Sequence, residues 1–271
     1  MTPGDFVAML ASKVAFPAAS VFSPRDPDVA ESGLRVYTSP FGQKILYRPN
    51  TLDKMVLWEQ WGAKDYQTVT VKEGDVVIEL GGHIGTSTLN YSHLVGPRGT
   101  VYAIEALPEN FEILKRNIAR NGITNVRAYN LAIVGDPKID HITLNTNPYN
   151  SGGHSIFQMS VDAEATFDCP AMTLEAFVRR ERIERIDILQ MDIEGAEFDI
   201  LLNCDKALLA SIPQLLFEYH DAYAAPRTHA ELVELLRGLG FTTYEYRNFI
   251  TRALNLETGI ITAQKERTPQ P

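Results

Sequence analysis

Cysteine is scarce in this chain of 271 residues: Cys169 and Cys204 match neither a disulfide framework nor a metal-ligand spacing. Both read as buried, inert thiols of a reducing compartment. Positive charge is also in deficit, with 25 lysines and arginines against 34 aspartates and glutamates and a formal net charge of −9. Such a balance is poorly suited to replacing the counterions of a phosphate backbone, so nucleic acid is not an expected partner. No apolar run approaches the ~18 residues that suggest a membrane span, so no membrane partner is expected either. The N-terminal stretch lacks a basic region, and Lys13 interrupts its apolar run, so it does not read as a secretory signal. Cytoplasmic residence is the resulting expectation. Repeats and long low-complexity segments are missing too. The hydrophobic content of 45% is enough for a sizeable core.

Two regions emerge along the chain. Residues 1–70 form an N-terminal segment in which Pro17, Pro24 and Pro27 break up the first part. Within it, Leu34–Arg48 predicts two short strands around a turn at Pro40-Phe41-Gly42, and Asp53–Tyr66 follows at helical spacing. From residue 71 to 271, apolar strands alternate with helices. Strands are predicted over Asp75–Leu80, Thr100–Glu105, Asn125–Ile133, Ile186–Asp192 and Leu215–His220. Helices are predicted over Ile84–Val95, Pro108–Arg120, Thr173–Arg180, Glu197–Leu202 and Thr228–Leu239, with Phe111, Leu114 and Ile118 on one face of the second. An insertion at about 136–170 carries short strands at His141–Asn147 and Ser155–Ser160, and Phe241–Tyr246 pairs antiparallel with Gly259–Ala263. This alternation implies an α/β fold with a mostly parallel sheet and helices on both faces. Ligands of such sheets bind beyond the carboxyl ends of the strands, where strand order reverses.

The loop Glu79-Leu80-Gly81-Gly82-His83-Ile84-Gly85 lies at such an end. Gly81 and Gly85 permit a tight turn and close backbone approach to a ligand. The next strand ends in Glu105, where a carboxylate can accept hydrogen bonds from both hydroxyls of a ribose. A dinucleotide would need the G-x-G-x-x-G spacing, which is absent, and Glu79 would repel its pyrophosphate. S-adenosylmethionine carries an ammonium and a sulfonium and no phosphate, so an acid here favours it. This weighs against an NAD-type oxidoreductase.

After the fourth and fifth predicted strands come Asp192, Glu194 and Glu197, then Glu218 and His220 on one side of their strand. Glu194 and Glu197 also suit the positive end of the next helix. Transfer to a hydroxyl needs a proton acceptor, for which His220 and Asp192 are the candidates. Alternatively Asp192, Glu218 and His220 together hold a divalent cation that acidifies the hydroxyl. Both readings stand at this point.

ELGGHIG, AIEALPENFEILKRNI, LQMDIEGAEFDIL and LLFEYHD resemble, in order and spacing, the FkbM family of methyltransferases. The resemblance spans roughly residues 53–250 and is most specific in MDIEGAE. It implies a Rossmann-like seven-stranded methyltransferase fold that uses S-adenosylmethionine for O-methylation of a hydroxyl on a sugar, a glycan or a polyketide-type natural product. LWEQWGAKDY, with Glu59 and Tyr66, is similar to the family's cofactor cap. The chain departs from the family's Asp and Gly-Ala-Asn-Ile-Gly at Glu79 and at Gly82-His83, and Ala106 and Gln190 stand where proline and lysine are common. The expected donor site comprises Glu79, Gly81, His83, Gly85, Glu105, Ala132 beside the adenine, Tyr66 and Asp192. The expected acceptor is a small, sugar-containing molecule. N-methylation and a non-catalytic partner module are the alternatives.

Overall fold

A computed structural model describes residues 33–49, 51–63, 68–146, 165–247 and 257–265. The elements, in chain order, are β1 (Arg35–Thr38), β2 (Lys44–Tyr47), α1 (Asp53–Trp58, continued by a π-turn over Glu59–Ala63), β3 (Val76–Leu80), α2 (Thr86–Val95), β4 (Thr100–Ile104) and α3 (Pro108–Arg120). Then come β5 (Val126–Tyr129), β6 (Ala132–Ile133), β7 (His141–Thr146), β8 (Ala165–Met172), α4 (Leu174–Glu181), β9 (Ile188–Met191), α5 (Ala196–Asn203) and α6 (Lys206–Ser211). The chain continues through β10 (Gln214–His220), α7 (Asp221–Ala224), α8 (His229–Gly238), β11 (Thr242–Tyr246) and β12 (Thr258–Gln264).

Seven strands form the main sheet in the order β11-β12-β10-β9-β3-β4-β5. Pairing is parallel from β10 through β5, and β12 is antiparallel to both neighbours. The chain runs outward from β3 to β5 and then returns to place β9 on the other side of β3. The order therefore reverses between β3 and β9, and the crevice beyond their carboxyl ends is where a ligand binds in such a sheet.

Alternation along the strands sends Ile78, Leu80, Leu189, Met191, Leu215 and Phe217 into the larger core, against α4, α5, α6 and α8. Val77, Val101 and Ile188 face the other way, against Tyr91 and Val95 of α2 and against Val69 and Val71. Each fully buried aliphatic side chain of this kind contributes about 1.5–3 kcal/mol. α2 is buried on several sides (Thr86, Thr88, Leu89, Asn90, Tyr91, Ser92 and Val95), because the β1–β2 hairpin and α1 pack over it.

Two asparagines tie that hairpin to α3. Asn121 accepts from the Lys44 N–H at 2.8 Å and donates to its carbonyl at 2.9 Å. Asn117, fully buried, accepts from the Leu46 N–H at 2.7 Å and donates to the carbonyls of Leu46 (3.1 Å) and Ile84 (2.7 Å). The side-chain amides thus pair with the open edge of β2, and each group orphaned by their loss would cost about 1–3 kcal/mol. They also rotate α3 from its expected orientation. Its buried residues are Asn110, Ile113, Leu114 and Asn117, while Phe111 is only partly buried.

The strand expected over 125–133 divides. β5 stays in the main sheet, whereas β6 pairs with β8 in a separate three-stranded sheet of order β6-β8-β7. In the insertion, the partner of β7 is Ala165–Met172; the strand expected at Ser155–Ser160 lies outside the described residues. Among the described residues no helix is long and apolar enough to cross a membrane.

Candidate active site

The loop after β3 is pinned by two hydrogen bonds, from the N–H groups of Gly81 and Gly82 to the Ile104 carbonyl, each 2.9 Å. Gly81 has φ +87°, and a Cβ there would collide with the Asp192 carbonyl oxygen. Gly85 has φ +93°, and a Cβ would lie 2.7 Å from Leu114 Cδ1. The two glycines therefore serve close approach to the loop after β9 and to α3, besides any ligand. His83 sits between them at φ +48°, a left-handed conformation in which Asn, Asp and His are enriched among non-glycine residues.

Two acids underlie this loop. Glu79 is 1% exposed, one layer beneath the turn, and accepts a 2.5 Å hydrogen bond from the Thr88 hydroxyl. Burial, with help from the charges of Glu105 and Asp192, pushes its carboxyl up to about 8. Among the described residues its Oε1 has no hydrogen-bond partner, nor have the buried His83 Nδ1 and Thr86 Oγ1 around the same turn. Glu105 accepts from the His83 N–H at 2.7 Å and from the Leu107 N–H at 2.8 Å. Burial raises its carboxyl above the usual range, against the opposing pull of His83, these N–H groups and the Asn110 side chain.

The hairpin reaches this loop through charge. Arg48 forks onto the fully buried Asp53, Nε to Oδ2 and Nη2 to Oδ1, both at 2.9 Å. Arg48 Nη2 also donates to Asn110 Oδ1 at 2.6 Å, and His83 Nε2 lies 3.3 Å from Asp53 Oδ1. Burial alone would raise the Asp53 carboxyl; His83 and Arg48 outweigh it and hold the carboxyl well below the usual range.

Across the crevice, Asp192, Glu218 and His220 come together, each offering one ligand-type atom within 4.8 Å of the others. His220 is 12% exposed, with Nε2 3.6 Å from Glu194 and 3.9 Å from Glu218, and Nδ1 3.6 Å from Glu197. Burial disfavours its cation, yet Glu194, Glu197 and Glu218 raise its proton affinity well above the ordinary value. Glu194, at φ +53°, has its carboxyl pushed up to about 8 by burial, which outweighs the lowering effect of His220; Asp192 and the other nearby acids add to the rise. Glu197 is fully buried and accepts from the N–H groups of Ile193 (2.9 Å) and Gly195 (2.8 Å), so it shapes the MDIEGAE loop.

A family model, the methyltransferase FkbM domain, matches residues 79–243, which contain the donor loop, Glu105, Asp192, Glu218 and His220. The chain belongs to the FkbM methyltransferase family. It is 24% identical over 189 residues to Methyltransferase 1 of Beauveria bassiana, covering 63% of this chain and 75% of that one. It is 27% identical over 203 residues to the AMB antimetabolite synthetase AmbE of Pseudomonas aeruginosa, covering 61% of this chain and 9% of AmbE. The chain thus matches less than a tenth of AmbE's length. The crystal structure of methyltransferase FkbM from Methylobacillus flagellatus KT superposes with a TM-score of 0.47 at 14% identity, over 72% of this chain and 45% of that one.

The remaining expected site residues of this FkbM methyltransferase fall in different places. Ala132 is buried in β6 opposite Ala171, just past Asn130, whose amide donates to the carbonyls of Glu105 and Ala106, both at 2.9 Å. Tyr66 lies outside the described residues. Thr88, Arg48, Asp53 and Asn110 were not foreseen at this site. Thr88 had a local signal, standing within the helix that follows the loop. The other three are brought to the site only by tertiary contacts.

Proposed function

We propose that this methyltransferase uses S-adenosylmethionine to methylate a hydroxyl of a small, sugar-containing acceptor. One observation carries the reading: Gly81 of the donor loop abuts the Asp192 backbone, and the Asp192 side chain gathers with Glu218 and His220. On this reading the donor loop and the proton-accepting set share the crevice beyond the carboxyl ends of β3 and β9.

The residues present fit the donor. Glu79 Oε1, His83 Nδ1 and Thr86 Oγ1, around the β3–α2 turn, are buried polar atoms without partners among the described residues. Glu105 and Asp192 supply negative charge to a ligand with an ammonium and a sulfonium and oppose a pyrophosphate, and Glu79, whose carboxyl is pushed up to about 8, joins them only when a cationic ligand ionises it. Glu105 would hold the ribose, Gly81, His83 and Gly85 would shape the pocket, and Ala132 would border the adenine. Bound there, S-adenosylmethionine supplies an electrophilic methyl carbon. The chain would align the acceptor oxygen, and Asp192 would take its proton as the O–CH3 bond forms and the S–CH3 bond breaks, the electron pair staying on the sulfur of the departing S-adenosylhomocysteine. Both His220 nitrogens face carboxylates, an arrangement suited to the doubly protonated ring. His220 then orients the acids rather than serving as the base.

Calorimetric titration with S-adenosylmethionine tests the donor. Wild-type protein binds, and a folded Glu105→Ala variant weakens binding by about tenfold or more, the worth of hydrogen bonds to a charged group. No binding by wild type, or unchanged binding by the variant, would sink the assignment. Mass spectrometry of glycosylated metabolites incubated with methyl-labelled donor tests the acceptor, with label expected on oxygen. The net charge of −9 weighs against a nucleic-acid acceptor.

The grouping of Asp192, Glu218 and His220 favours a second reading, in which a divalent cation binds there and acidifies the hydroxyl. On that reading a chelator abolishes turnover and added Mg²⁺ restores it. Turnover unaffected by the chelator leaves Asp192 as the unaided base.

A further inference from the structure

Arg48, Asp53, His83, Glu105 and Asn110 close a ring. Arg48 forks onto Asp53 and donates to Asn110 Oδ1 at 2.6 Å. The Asn110 side chain hydrogen-bonds the Glu105 carboxylate. Glu105 in turn accepts the His83 N–H at 2.7 Å, and His83 Nε2 returns to Asp53 Oδ1 at 3.3 Å. The five side chains come from the hairpin end, α1, the β3–α2 loop, the end of β4 and α3. A carboxylate gripped from three sides has fixed lone-pair directions, and a ligand then meets a preorganised acceptor.

We propose that Arg48 and Asp53 are positioning residues for the donor, aiming Glu105 through Asn110 and His83. The hairpin and α1 would then be part of the donor site. The inference rests on the reading that Glu105 holds the ribose. Fixing the orientation of Glu105 is a tighter requirement than keeping the ring folded, because a buried ion pair contributes little net stability over well-packed apolar side chains. Arg48 is suited to the task by its planar fork, which lysine lacks. It binds Asp53 with two nitrogens and passes one contact on to Asn110.

The experiment compares S-adenosylhomocysteine with its 2′,3′-dideoxyribose analogue by calorimetry. Wild-type protein should prefer the hydroxylated ligand by about tenfold or more, as expected for hydrogen bonds to a charged acceptor. In Arg48→Lys, and in the double variant Arg48→Met/Asp53→Leu, that preference should fall to within about threefold. The double variant removes both charges together, so no unpaired charge is left from the pair, and its unfolding midpoint should fall only by the cost of orphaning the Arg48 N–H that Asp53 accepts at 2.7 Å. Asn110→Ala cuts the ring without touching the ion pair and should lose the same preference. A purely structural role would weaken both ligands equally and leave their ratio intact. Folded variants that keep the wild-type ratio overturn the inference. A wild type that binds neither ligand overturns the donor reading and this inference with it, whereas a retained ratio overturns this inference alone.

Discussion

Asp192→Asn should lower kcat by about 10²- to 10⁴-fold, the usual worth of a positioned proton acceptor, while donor affinity changes by only a few-fold. The asparagine keeps the shape of the side chain and removes its basicity. An alcohol's pKa lies far above neutrality, so its oxygen attacks well only as its proton departs. On the proposed reading Asp192 takes that proton. It directly follows β9, the strand beside β3, its backbone touches Gly81 of the loop after β3, and its carboxylate gathers with Glu218 and His220. Glu197 is committed to the Ile193 and Gly195 N–H groups and cannot serve. Turnover is measured on the acceptor found by label transfer, and donor affinity by calorimetry. A kcat within threefold of wild type would remove Asp192 from the mechanism. A parallel collapse of donor binding would instead assign it to the donor pocket.

Much of this arrangement was legible in the chain's local patterns. The alternation of apolar strands with helices predicted the parallel sheet, because each short run between Gly or Pro breaks had one plausible element type. Placing Gly81, Glu105, Asp192 and His220 at strand ends followed from that, since loops at the carboxyl ends of adjacent strands must converge. What escaped were features set by tertiary partners. The Asn130-Leu131 break between β5 and β6 has no Gly or Pro to mark it, and β6 departs because β8 is available to pair with it. α3 turns its asparagines inward because β2 has an unpaired edge, an arrangement invisible to a reading that counts apolar residues. Arg48 and Asp53 are five positions apart and 30 or more from His83, so no spacing rule connects them. α6 was missed although Asp205, whose side chain caps the Leu208 N–H at 2.8 Å, is an ordinary helix-start signal.

Glu79→Gln should act in opposite directions on stability and on donor binding, with pH as the control variable. The wild-type carboxyl is pushed up to about 8, chiefly by burial, and further by Glu105 and Asp192, against the Thr88 hydrogen bond. Burial, and after it the charge of Glu79, raise the phenol of Tyr91 in α2 far above its ordinary value, so it stays neutral throughout this range. In the unfolded chain Glu79 titrates near the ordinary glutamate value of 4.5. Between 4.5 and about 8 the native state therefore binds more protons than the unfolded state, and stability falls as pH rises through that window. The contribution is fully present below the unfolded value and is lost by about pH 8, a change of a few kcal/mol. Glutamine cannot titrate, so the variant should lose the Glu79 share of this decline, keep that of Glu194, and gain on wild type as the solution becomes alkaline. Denaturant midpoints across that range check it, and parallel curves for the two proteins would refute it. Donor binding runs the other way. A cationic ligand favours ionised Glu79, so below pH 8 its binding must expel the Glu79 proton, and affinity should climb toward pH 8. Titrations at pH 7 in buffers of different ionisation enthalpy should register proton release in wild type, with the Glu79 share gone in the variant. Release unchanged by Glu79→Gln would place the ligand's charge elsewhere. The acid beneath the loop is then neutral in the empty crevice and charged beneath a bound donor. Repulsion of a pyrophosphate by Glu79 is correspondingly confined to alkaline solution, and below pH 8 Glu105 and Asp192 must supply it.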